Sequence, residues 1–126
     1  MINRIVAALL GALHTLTGLY MLIAGERWYL NTPGVAATGP YNPHFVADVG
    51  VAFIAAGLAL LARSWRARYW PAAVAGAAFL VFHALIHAFE FARHPDDLTS
   101  MLFIVVLAAL ALWAALPTKR ERERGA

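Results

Sequence analysis

Four nearly uninterrupted apolar runs take up most of this chain. They lie at about residues 5–24, 45–62, 71–91 and 97–116. Each approaches the roughly 20 residues that a helix rising 1.5 Å per residue needs to cross a hydrocarbon core of about 30 Å. Four such spans use roughly 80 positions of a 126-residue chain, so no second, water-soluble domain fits beside them. The composition agrees: 62% of residues are hydrophobic and 13% charged, against about 45–50% and about 25% in soluble domains. Alternating strand patterns are absent, which argues against a membrane barrel. The expectation is a single all-α membrane domain over residues 1–126, a four-helix transmembrane bundle with a basic tail at 117–126. The first run reads as a span rather than a cleaved signal peptide, because it outlasts the usual apolar region and Leu22-Ile23-Ala24 is a poor small-x-small site.

Lysine and arginine placement gives the orientation. Arg4, Arg63, Arg66, Arg68, Lys119, Arg120, Arg122 and Arg124 fall on one side, which is eight of the ten basic residues. Only Arg27 and Arg93 fall on the other. By the positive-inside rule both termini are cytoplasmic, as in a multi-pass protein of a bacterial inner membrane. The net charge of +3 is then a topology signal rather than a nucleic-acid patch, and the expected partner is the lipid bilayer, with a homo-oligomer or a larger membrane complex compatible with it. Trp28, Tyr29 and Tyr41 belong to the outer interface; Trp65, Tyr69, Trp70 and Trp113 to the inner one. Asn42-Pro43 reads as an N-cap with proline at the first helical position, and Pro71 opens the third helix. Asp96 and Asp97 stand near the positive start of the fourth. The absence of cysteine removes thiolate metal sites, iron–sulfur clusters and disulfides.

Function has to come from the few ionisable residues placed in the spans, since these are by default functional. Counting 1.5 Å per residue from the outer end places His14 and His83 about 12–15 Å deep, and Asp48 and His87 about 6 Å deep. Gly76, His83, His87, Glu90 and His94 share one helical stripe, as do His44 and Asp48, the latter continuing into Ala52, Ala55 and Ala59. Ala7, Gly11, His14, Gly18 and Gly25 form a small-residue stripe that lets helices approach. The polar groups are therefore expected on faces that meet inside the bundle.

Three readings of this set compete. In the first, His83, His87 and Asp48, completed by His44 or Glu90, ligate a transition-metal ion (zinc, iron, manganese or copper), because imidazole with carboxylate suits these metals and an i,i+4 pair presents two nitrogens together. Such a metal would activate water or oxygen, or relay electrons. In the second, His14 and His83 are the axial ligands of a b-type haem. In the third, no ligand binds: Asp48 pairs with His87 or His83, His14 is satisfied by Thr15, Thr17 or a neighbouring helix, and the protein is a non-catalytic membrane subunit whose network fixes packing or docks a partner. The inner half lacks relay groups, which disfavours transmembrane proton transport. The segment from Glu26 to His44, rich in proline and glycine, reads either as a lid over the outer cluster or as an inert connector.

The four short spans with cytoplasmic ends, together with the blocks Asn42-Pro43-His44-Phe45-Val46-Ala47-Asp48-Val49-Gly50 and Phe82-His83-Ala84-Leu85-Ile86-His87, look like a small membrane-protein family pattern. In hydropathy layout the chain resembles small bacterial inner-membrane proteins of the DoxX-like kind. That resemblance implies an inner-membrane four-helix fold and an association with quinol oxidase assemblies.

Overall fold

Helix boundaries follow local chemistry closely. In the computed structural model, which describes residues 1–93 and 98–123, α1 runs Ile2–Asn31, α2 Pro43–Trp65, α3 Trp70–Arg93, α4 Leu98–Ala115 and α5 Lys119–Glu123. Short 3₁₀ turns lie at Val35–Thr38 and Ala67–Tyr69. Asn42 caps α2, its side chain accepting from the Phe45 amide at 3.1 Å, with Pro43 at the first helical position where its missing N–H costs nothing. Pro71 is the second residue of α3. His94, Asp96 and Asp97, which the sequence reading placed on the third stripe and at the start of the fourth helix, lie outside the described residues, as does Arg124.

α1 continues beyond the expected end of its span. The backbone breaks at Ala24 (φ −139°, ψ 47°) and the helix resumes through Asn31. The break falls beside Gly25, which resists bending least, and just before the charged pair Glu26-Arg27. The connection between the first two helices is therefore residues 32–42, shorter than the 26–44 segment expected. It is pinned by the Tyr29 hydroxyl, which donates to the Gly39 carbonyl at 2.6 Å. Its turns use Gly34 and Gly39 at positive φ, +78° and +141°, where a side chain would be strained.

α1 packs mainly on α2, α2 on α3 and α3 on α4, and α4 returns to α1 to close the bundle. The α1–α2 seam is built on glycine facing glycine. A Cβ placed on Gly11 would stand 2.8 Å from the Gly57 carbonyl oxygen, and one on Gly50 would stand 3.0 Å from that of Gly18. The two pairs are seven residues apart on both antiparallel helices, the repeat of a left-handed helix crossing. Of the expected small-residue stripe on α1, Ala7, Gly11, His14 and Gly18 are buried. The core beyond the seam is equally small: Ala56, Ala73, Ala77, Ala84, Ala108, Ala111 and Ala115 surround Leu10, Leu60 and Leu80. Small residues allow the close backbone approach from which helices in lipid gain their packing energy.

The outer surface is the converse of a soluble protein. Leu9, Ile23, Phe82, Ile86 and Phe103 are all more than 60% exposed. Contiguous apolar surface of this extent requires a partner phase to cover it. Four helical stretches of mean hydropathy between 1.8 and 2.4 are long and apolar enough to cross a membrane. Among the described residues there is no strand.

At the end carrying most of the arginines, which we call the basic end, side chains close the helix termini. Arg4 donates through Nε to the Ser64 carbonyl at 2.9 Å and through Nη2 to that of Trp65 at 2.7 Å, satisfying the last carbonyls of α2. Arg63, which the sequence reading treated as a topology charge, is fully buried. It donates to the carbonyls of Ala115 and Leu116, and its Nη2 meets Glu121 Oε2 at 2.8 Å. The described part of the basic tail is structured. Pro117 stops α4, and Thr118 and Glu121 form a reciprocal capping box that starts α5: the Thr118 amide donates to Glu121 Oε2 at 2.8 Å and the Glu121 amide to Thr118 Oγ1 at 3.3 Å.

Candidate functional site

His83 and His87 stand one turn apart on α3, so their side chains lie on one face, one above the other. Their Nε2 atoms meet at 3.2 Å and their rings are nearly perpendicular, with centroids 4.7 Å apart. Both are half-buried. His83 also stacks on Phe79, at 5.9 Å and 23°, and meets the edge of Phe53 from α2 at 5.4 Å.

The other face of that aromatic group is closed by α1. His14, 6% exposed, packs on Phe53 with ring centroids 5.6 Å apart. The five rings of His14, Phe53, Phe79, His83 and His87 thus form one continuous cluster across three helices. Among the described residues the Nε2 of His14 has no hydrogen-bond partner, nor does the hydroxyl of Thr15 beside it. The expected satisfaction of His14 by Thr15 is therefore not realised. A buried nitrogen left in this state costs about 1–3 kcal/mol.

The five residues expected to form a metal shell do not converge. His44 and Asp48 pair with each other, Nε2 to Oδ2 at 3.4 Å, with side chains 87% and 66% exposed. Glu90 is exposed as well. Among the described residues, no three His, Cys, Asp or Glu side chains stand close enough to hold one ion. The reason lies in the phase of α2. The face that meets α1 carries Val46, Gly50, Gly57 and Leu60, all buried, with Phe53 between them, and it turns the Asp48–Ala52–Ala55–Ala59 stripe away from the seam. Carboxylates thus leave the cluster, and Phe53 occupies the place on α2 that sequence reasoning gave to Asp48. Phe53 could have been found from the alternating four- and three-residue spacing of 46, 50, 53, 57 and 60, a pattern that marks a packing face independently of polarity.

What the arrangement offers chemically is two imidazole nitrogens converging on one point and a third, more buried nitrogen without a partner among the described residues, with Phe53 packed on His14 and on His83. No protein-family model, curated protein or solved structure matches this chain.

Proposed function

We propose that the protein is a multi-pass membrane protein, with its basic end in the cytoplasm, that binds a first-row transition-metal ion through Nε2 of His83 and His87. The observation that carries this reading is the 3.2 Å separation of the two nitrogens. Two imidazoles at metal–nitrogen distances of about 2.0–2.1 Å in a tetrahedral shell stand about 3.3 Å apart. The pair thus needs almost no rearrangement to receive an ion. Zinc, copper, iron and manganese all accept such donors. Two protein ligands leave the rest of the shell to water, a substrate or another chain, and His14 supplies a further nitrogen deeper in the bundle. The haem alternative, with His14 and His83 as axial ligands, is weaker: both rings already pack on Phe53, which a porphyrin between them would have to displace.

A non-catalytic subunit whose histidines only fix helix packing is the second reading. It is favoured by the same contact, since one Nε2–H can donate to the other nitrogen, and by the packing of the His83 ring on Phe53 and Phe79.

Titration of chelator-treated protein in mild detergent separates the two. With metal binding, zinc or copper at about 100 times the dissociation constant stabilises the fold by about 2.7 kcal/mol, seen as a raised Tm. His87→Ala abolishes the rise, whereas Asp48→Asn leaves it intact, because Asp48 faces away. An unchanged Tm with every metal in the parent supports the packing reading instead.

A further inference from the structure

At the basic end a groove of about 770 Å³ opens between the start of α1, the α2–α3 connection and α5, lined by Arg4, Ile5, Leu9, Ser64, Arg120 and Glu121 among others. Its lining divides into two chemistries. One part is charged: Arg4 and Arg120 are both exposed. Arg4 uses two of its five N–H donors on the carbonyls of Ser64 and Trp65, and Arg120 has no hydrogen bond or ion pair among the described residues. The acid at the rim, Glu121, is already neutralised by buried Arg63 at 2.8 Å, so the groove carries surplus positive charge. The other part is apolar: Ile5 and Leu9, 52% and 67% exposed, lead up α1 away from the charges, and Leu9 stands about 7.5 Å above Arg4 at 1.5 Å per residue.

We propose that this groove is a binding site for one anionic phospholipid, its phosphate held by Arg4 and Arg120 and an acyl chain laid along Ile5 and Leu9. Charge complementarity selects an anionic headgroup over a zwitterionic one, and the adjoining apolar wall selects an amphiphile over a free phosphate. Guanidinium groups suit the phosphate because their planar N–H forks match its oxygens. Arginines beside an apolar wall distinguish the site from the other large groove, which is lined by Phe82, Leu85, Ile86, Ala88 and Phe89 alone. This inference rests on the membrane placement of the helices and is independent of the histidine pair.

Native mass spectrometry of the full chain in mild detergent, with phosphatidylglycerol, phosphatidylcholine or glycerol 3-phosphate added, tests it. One retained phosphatidylglycerol per chain is expected, with phosphatidylcholine and glycerol 3-phosphate each held markedly less. Arg120→Gln, which breaks no internal bond, is expected to weaken phosphatidylglycerol binding about fivefold, the contribution of one basic residue near an anionic headgroup. Ala8→Phe, which fills the groove without touching its charge, should weaken it as well. Equal retention of both lipids, or an Arg120→Gln variant indistinguishable from the parent, would overturn the proposal. Glycerol 3-phosphate held as tightly as phosphatidylglycerol would also overturn it, since the apolar wall would then contribute nothing.

Discussion

Replacing Glu121 with alanine is expected to destabilise the bundle by about 3–5 kcal/mol, the usual cost of removing one partner from a buried ion pair. Arg63 has no exposed surface, and Glu121 Oε2 is its only charged partner among the described residues. Its Nη1 already lacks a hydrogen-bond partner there. Without Glu121 a guanidinium would sit inside the protein against two helix-terminal carbonyls at 3.3 and 3.4 Å. The substitution also removes half of the Thr118–Glu121 capping box, adding about 1 kcal/mol. Glu121→Gln, which can keep the capping bond but not the charge, should fall between the parent and the alanine variant. Thermal unfolding in detergent reads both. Parent-like melting of Glu121→Ala would mean that Arg63 reaches water or lipid phosphate when released, and that α5 is dispensable for closing the basic end.

Gly57→Ala is the second substitution with a large expected effect, about 1–3 kcal/mol from overpacking. Its new Cβ would stand 2.6 Å from the Thr15 amide nitrogen and 2.7 Å from the Gly11 carbonyl oxygen. These are backbone atoms, which no rotamer change can move aside. The helices must separate, and the loss then extends along the seam. At the other contact, a methyl on Gly18 would meet the Gly50 carbonyl oxygen and stand 3.0 Å from the Ile54 amide nitrogen, so Gly18→Ala should behave alike. Because the two contacts, about 10 Å apart along the helix, share one seam, separating the helices at one relieves the other, and the double variant should lose less than the sum of the single losses. A Gly57→Ala protein that melts within a few tenths of a kcal/mol of the parent would show that the seam has slack that the close approach denies.

The positions of the helices were legible because each end carries its own chemistry. Asn42-Pro43 starts α2, Pro71 sits in the first turn of α3, Pro117 follows α4, and the apolar runs between them have no other interpretation in a chain with so few charges. The site was less legible, and α2 shows why. Two stripes of helical spacing coexist on it, 48-52-55-59 and 46-50-53-57-60. Choosing the first because it contains an aspartate assumes that a polar residue in a span faces inward. The backbone instead follows the glycines, since the carbonyl contacts of Gly11 with Gly57 and Gly18 with Gly50 fix the rotation of α2, and Asp48 is carried outward with His44. On α3 the placement of His83 beside His87 was legible, because i,i+4 geometry is local and needs no neighbour to be correct. Glu121 shows a signal that was present but unread: Thr118-Lys119-Arg120-Glu121 is a capping-box pattern, hidden within what looks like a charged tail.

A metal ion held by both His83 and His87 should stay with the protein through purification. The most direct test is the metal content of the protein, purified in mild detergent without chelators or a histidine tag, by mass spectrometry alongside a His83→Ala/His87→Ala variant. Close to one transition-metal ion per chain is expected in the parent and none in the variant, with both proteins folded. Metal-free parent protein, even after zinc, iron, manganese and copper are offered, would contradict it and leave the histidine–aromatic cluster as a device for packing three helices.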